Sequence, residues 1–273
     1  MIDVIVPVKG RPLKLGQALK SLESQTYRAF EVTVVNDHSS AEDRHEIAII
    51  CSEYNGTINL IDSKGTGASA ARNFGFGNTQ NEYILWFDSD DILLPNKLEH
   101  DLKLFKANTF DFVVSRAQHL ENGVLIDRYW GEAPHLNKGD FHFPFQTMCT
   151  LLSRKFLTDN HIKWNEDLHS RNDWEFSNEC IIKSERYTFS NVVTAHYNVP
   201  DATSGSIGSS LNRIKIESQF MAIENIAKLQ NKFGFTPGLY SKMRILRHRL
   251  FLLIACLKNG YYLYFMKSLK RLV

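Results

Sequence analysis

The chain has 273 residues, 43% hydrophobic and 23% charged, an ordinary globular composition long enough for one large domain or a domain with an appendage. Its four cysteines, Cys51, Cys149, Cys180 and Cys256, are far apart and form no CxxC pair, which argues against a structural zinc site or a disulfide framework and fits a reducing cytosol. The 32 basic side chains nearly balance the 30 acidic ones, yet the last 49 residues carry ten Lys and Arg and no Asp or Glu, leaving net −8 on the first 224 residues and +10 on the rest.

Residues 2 to 8 read as a buried strand that begins at once, leaving no room for a signal peptide. The loop Lys9-Gly10-Arg11-Pro12 leaves that strand, and Leu15, Ala18, Leu19 and Leu22 recur at helical spacing to about Ser24. A second strand, Phe30 to Val35, runs into Asn36-Asp37-His38-Ser39-Ser40; a helix over about 42–54 and a short strand at 58–61 follow. Strands alternating with helices predict an α/β fold with a parallel sheet, in which ligands bind beyond the carboxyl ends of the strands.

Gly65-Thr66-Gly67-Ala68-Ser69-Ala70 imitates a dinucleotide-binding turn, but it falls in the third strand-to-helix connection rather than the first. A glycine-rich turn and helix N-terminus able to approach phosphate, with Arg72 adding charge, is the more economical reading beside a simple tight turn. The chain is organised around Tyr83-Ile84-Leu85-Trp86-Phe87-Asp88-Ser89-Asp90-Asp91, an apolar strand running straight into three carboxylates. Crowding carboxylates at a buried strand end is costly, so either a hard divalent ion such as Mg²⁺ or Mn²⁺ offsets them or they form an acidic cap for the helix that starts near Asn96.

A helix over 97–106 and a strand over 110–114 come next, then an irregular excursion over 115–139 with an Asn122-Gly123 turn, and apolar character returns over 145–155. The polar run from Trp164 to Phe176 starts another helix, in whose first turn Asp173 lies. Residues 203–210 are a small-residue loop able to close over a ligand. A helix over about 212–233 carries Phe220, Ile223 and Ala227 on one side; after Pro237-Gly238, Met243, Leu246, Leu250, Leu253 and Leu257 repeat at heptad spacing among arginines. The longest late apolar run, Leu250 to Leu257, is too short to span a bilayer, which needs about 20 residues. This basic, aromatic-rich end suits an anionic membrane surface, or packing on the catalytic body or on a second copy in a homodimer; no nucleic-acid motif accompanies the charge.

Taken together, Val4-Ile5-Val6-Pro7, Gln25-Thr26-Tyr27, Val34-Val35-Asn36-Asp37-His38-Ser39-Ser40, Gly67-Ala68-Ser69-Ala70-Ala71-Arg72-Asn73, Asp88-Ser89-Asp90-Asp91 and Asn172-Asp173-Trp174-Glu175-Phe176 resemble the family 2 glycosyltransferases of the GT-A fold, in the family's order and spacing over about residues 2–200. The resemblance implies a Rossmann-like, mostly parallel sheet flanked by helices. It gives a catalytic domain over 1–210, with a nucleotide-sugar half to about 115 and an acceptor half after it, and a C-terminal helical extension over 211–273. The implied activity is inverting transfer of a sugar from a nucleotide diphosphate, with UDP-sugar as the expected donor, to an acceptor hydroxyl. The donor would be held by Pro7, Val8, Lys9, Arg11, Asp37, Gly67, Arg72, Asp88, Ser89 and Asp90, with Asp37 bonding the base.

The resemblance makes Asp88 and Asp90 the DxD motif for Mn²⁺ or Mg²⁺, with His196 a further candidate ligand, and Asp173 the general base. Asn172 and Trp174 would contact the acceptor, a bacterial surface polysaccharide or lipid-linked glycan. Where the family often has Thr-Tyr-Asn-Arg after the first-strand proline, this chain has Val8-Lys9-Gly10-Arg11, so Lys9 stands where an aromatic ring usually meets the base. Two other functions compete: a domain of this fold that binds nucleotide sugar without turnover, and a metal-dependent nucleotidyltransferase, which would need no base at Asp173. The expected location is the cytoplasm, with the basic end able to rest peripherally on the inner face of the cytoplasmic membrane.

Overall fold

The computed structural model describes residues 1–133, 145–200 and 211–269. Among them, 1–133, 145–164 and 184–199 form one compact unit, and 165–183 with 211–269 form a second. The loop over 203–210, expected to close over a ligand, lies outside the described residues, as does part of the 115–139 excursion.

The first unit is built on a mixed sheet. Strands β1 (Ile2–Val8), β2 (Phe30–Asn36), β3 (Ile58–Asp62) and β4 (Tyr83–Trp86) are parallel in the order β3-β2-β1-β4. Every residue of β1 is buried, as its unbroken apolar run requires when both faces of the sheet are covered. The helices α1 (Pro12–Glu23), α2 (Ala41–Ser52) and α3 (Ala68–Gly77) make the crossovers, and the predicted stripe Leu15, Ala18, Leu19 and Leu22 on α1 is buried. Helix α3 lies close on the sheet because Gly75 has no side chain: a Cβ there would stand 2.5 Å from Ile5 Cγ2 and 3.0 Å from Val35 Cγ2.

Beyond β4 the pairing turns antiparallel through β8 (Thr150–Ser153), which joins β6 (Phe112–Glu121). The irregular excursion contains a hairpin, β6 with β7 (Val124–Trp130), turning at Asn122-Gly123 as the dipeptide suggests. Strand β9 (Tyr187–Asn198), which the sequence reading did not single out, runs parallel to β6 and pairs antiparallel with the short β5 (Ile92–Leu93) behind the acidic turn. Between them, α4 (Lys97–Ala107) and α5 (Arg154–Asp159) complete the unit.

The second unit is helical: α6 (Asn172–Lys183), α7 (Arg213–Lys232), α8 (Leu239–Lys258) and α9 (Tyr262–Ser268). Leu168, Trp174 and Ile182 pack with Ala222, Ile223 and Ile226 of α7. Helix α8 departs from the expected heptad face. Leu252, Leu253 and Cys256 form its buried side with Ile216 and Phe220 of α7, whereas Met243, Leu246, Leu250 and Leu257 of the heptad row are exposed. Leu253 is the member of the heptad row that joins this core, so the buried side of α8 follows its contacts with α7 rather than the heptad spacing. No helix among the described residues is long and apolar enough to cross a membrane.

Candidate active site

Parallel strands release their loops at one edge, and in the first unit β1, β2 and β4 end side by side there: Val8 pairs with Asn36, and Ile5 with Trp86. Pro7 and Val8 are the buried last residues of β1, and the Val8 carbonyl accepts from the Asp37 amide at 2.7 Å. Lys9 is exposed just beyond them. The carboxylate of Asp37 accepts from the Gly67 amide at 2.9 Å. Gly67 has φ 94, which an L side chain rarely adopts, so the glycine-rich turn can bring its amide to Asp37 just before α3 begins.

The acidic turn is held from both sides. Arg72 on α3 is buried and its Nη2 lies 2.6 Å from Asp88 Oδ1, while Thr147 donates to Asp88 Oδ2 at 3.0 Å. The Arg72 guanidinium stacks on the Trp164 ring at 4.3 Å, and Asn73 clamps Trp164 by bonding both its amide and its carbonyl. The Nε and Nη1 of Arg72 find no hydrogen-bond acceptor among the described residues. Asp90 meets Arg11, itself in a left-handed backbone conformation, at 3.2 Å. Asp91 points inward: its Oδ1 accepts from the Asn198 amide, and Asn198 also donates to the Asp90 carbonyl. Ser89, between the acids, is half-buried.

Burial, reinforced by Asp90 and Asp88, drives the Asp91 carboxyl well above the usual range, and its bond to Asn198 marks it as a structural group. Asp90 is also pushed up, by burial first and by the Asp88 charge second. The acidic turn does not cap the next helix, since β5 intervenes and Asn96 precedes α4 with no side-chain cap bond.

The donor set fits a hard divalent ion. Mg²⁺ and Mn²⁺ typically take one or two carboxylates and complete their shell with phosphate and water oxygens. The crowding that raises Asp90 is relieved by a cation, and the Asp90–Arg11 pair is open to solvent, worth about 0–1 kcal/mol and easily exchanged. Asp88, by contrast, is locked to the buried Arg72. His196 sits in β9 opposite Ile92, its imidazole pKa lowered by burial, and no group of three His, Cys, Asp or Glu side chains able to hold a metal occurs among the described residues.

Asp173 opens α6 in the second unit. Its amide donates to Asn172 Oδ1 at 2.9 Å, and its own Oδ1 accepts from the Trp174 amide at 2.8 Å. Trp174 is buried against α7. Its neighbour Glu175 escaped the sequence reading: Asn165 and Asn225 bond one oxygen, and burial lifts its carboxyl to about 7. Trp164, Asn73 and Thr147 were likewise not assigned to the site, because their partners lie far along the chain: Thr147 is 59 residues from Asp88, and Asn73 is 91 from Trp164.

The comparisons agree with this architecture. The family model described as "Glycosyl transferase family 2" matches residues 3–159. An uncharacterized glycosyltransferase of Rickettsia bellii is 36% identical over 141 residues, which is 51% of this chain but only 19% of that protein, so the chain spans about a fifth of that relative's length. The poly(ribitol-phosphate) beta-N-acetylglucosaminyltransferase TarP of Staphylococcus aureus is 24% identical over 264 residues, 90% of this chain and 80% of its own. Among solved structures, residues 1–349 of TarS from the same organism, in complex with UDP-GlcNAc, superpose with a TM-score of 0.64 at 18% identity over 93% of this chain and 81% of that one, a likeness of GT-A fold. With more than half of its length matched by the family model, the chain belongs to glycosyl transferase family 2.

Proposed function

We propose that the chain is an inverting, metal-dependent glycosyltransferase that moves a sugar from a UDP-sugar to a hydroxyl of a bacterial surface polysaccharide or lipid-linked glycan. The observation that carries this reading is the continuous set Asp37, Gly67 amide, Arg72, Asp88 and Asp90 at neighbouring strand ends. Asp37 accepts from the N3–H of uracil, with Pro7 and Val8 as the floor beside it and Lys9 in place of a stacking ring. Arg72, Arg11 and the amides around Gly67 and Ser89 supply positive potential to the diphosphate. A divalent ion on Asp90 and Asp88 would neutralise the leaving UDP; His196, which forms no three-ligand group with them among the described residues, is left out of the proposed metal set.

Asp173 takes the proton of the acceptor hydroxyl as that oxygen attacks the anomeric carbon; the new C–O bond forms on the face opposite the departing UDP oxygen, which keeps the electron pair of the broken bond. Asn172 and Trp174 flank the acceptor. The glycan acceptor is favoured by TarP, whose name states a polymer substrate. The cytoplasm, where nucleotide sugars are made, is the proposed location. Leu246, Leu250, Ile254, Leu257, Leu263 and Met266 are exposed along α8 and α9 amid basic residues, which supports peripheral contact of 238–273 with an anionic membrane and leaves a homodimer face as the competing use of the same surface.

The test is Asp173→Asn assayed for transfer and for UDP binding in Mn²⁺. Transfer is expected to drop by at least about a hundredfold, the usual worth of a general base, with UDP affinity retained. Unchanged turnover removes Asp173 as the base.

A further inference from the structure

The second unit contains a cavity of about 410 Å³ walled by α7, α8 and the start of α6. Three arginines, Arg171, Arg244 and Arg247, line it together with His248, and among the described residues no carboxylate does. That imbalance is written in the sequence: α8 lies in the stretch after Glu224 that contains no acid at all. The rest of the wall is apolar or aromatic, including Trp174 and Phe251, with the His248 ring stacked on Phe251 at a centroid distance of 6.0 Å. Arg171 is held with φ 63, a left-handed conformation that costs a non-glycine residue energy and tends to persist where a site needs it.

We propose that this cavity is the phosphate subsite of the acceptor, in which Arg171, Arg244 and Arg247 grip a phosphate ester and so present a hydroxyl of the same molecule to Asp173. The proposal rests on the transferase reading above and adds that the acceptor is anionic. Guanidinium groups suit the task because each offers parallel N–H donors to two phosphate oxygens. Arg171 stands two residues before Asp173 and within electrostatic reach of its carboxylate, so a phosphate held there lies beside the base. The crowding of positive charge is visible on His248, whose imidazole is pushed down to about 4 by burial and then by Arg171 and Arg244. It stays neutral, bonded through Nε2 to Gln219 at 3.0 Å, and leaves anion binding to the arginines. The aromatic wall accommodates the carbon chain of the ester.

A phosphate ester of this kind comes from a phosphate-bearing polymer or from a lipid carrier. Calorimetric titration of the full chain with sn-glycerol 3-phosphate, farnesyl phosphate and uncharged glycerol separates them, and UDP with Mn²⁺ is titrated on the same samples. At least one ester is expected to bind and glycerol is not; tighter glycerol phosphate assigns the polymer, tighter farnesyl phosphate the lipid. Arg247→Gln, at an exposed position of α8, is expected to weaken the ester about tenfold, the worth of one charge-assisted hydrogen bond, with UDP affinity unchanged. Arg244→Gln supplies a second, independent reading. Absence of ester binding, or ester binding unaltered by both substitutions, overturns the proposal while the transferase reading stands on its UDP titration. Ester binding without any UDP binding overturns the acceptor role together with the transferase reading.

Discussion

Lys97 and Asp101, one turn apart on α4, are both fully buried, with Nζ 2.6 Å from Oδ2. The ammonium also donates to Ser115 Oγ at 2.9 Å and to the Cys149 carbonyl at 3.0 Å, so one cation ties α4 to β6 and to the approach of β8. Ser115 in turn bonds Thr194 of β9, whose carbonyl holds the Leu94 amide just behind the acidic turn. Replacing Lys97 by Met keeps most of the volume and removes the charge. Asp101 is then a buried carboxylate with no counter-charge, the situation that typically costs about 3–5 kcal/mol. At roughly 2–4 °C per kcal/mol for a chain of this size, the melting temperature is expected to fall by about 6–20 °C. Denaturant titration gives the same quantity as a shift of midpoint at constant slope. The double change Lys97→Met with Asp101→Leu removes both charges and is expected to recover most of the loss, because the penalty belongs to the orphaned carboxylate rather than to the pair. A single Lys97→Met protein within about 1 kcal/mol of the parent would refute this account.

Two further outcomes follow from the packing. Glu175 has its carboxyl lifted from 4.5 to about 7 by burial, so the native state keeps a proton that the unfolded chain releases. Its contribution is therefore complete below about pH 4.5 and is lost as pH rises through 7; Glu175→Gln should be more stable than the parent at pH 8, by up to about 3 kcal/mol, with the difference closing near pH 4. Denaturant midpoints at the two pH values decide this, and a constant difference would show that Glu175 does not titrate as described. Gly75→Val forces a side chain into Ile5 and Val35 at the α3–sheet contact and is expected to cost about 1–3 kcal/mol, read from the thermal midpoint; a neutral result would mean α3 can lift from the sheet without loss.

Much of the first unit was legible because its signals are local. An apolar run of five to seven residues followed by a helix-period stripe specifies strand, crossover and strand whatever lies elsewhere, and parallel strands connected that way must end at one edge. Lys9, Asp37 and Asp88 to Asp90 therefore had to meet once the alternation was recognised. The helical ends of α7 and α8 were legible for the same reason. Which side of α8 would be buried was not, because both sides are apolar and the choice depends on the partner already present in α7.

The order of chain elements, the edge at which the acids gather and the basic excess of the last 49 residues are properties of the sequence alone, set by periodicity and composition. Tertiary structure decided how alike residues diverge. Of three acids in four positions, Asp88 is locked by Arg72, Asp90 faces a weak solvent-side partner and Asp91 is buried, accepting from the Asn198 amide. Burial and a partner more than a hundred residues away make that difference, and neither can be read from neighbours in the chain. The same holds for the arginine-lined cavity, where Arg171 and Arg244 become one site only because α6 and α8 share α7 as a packing partner.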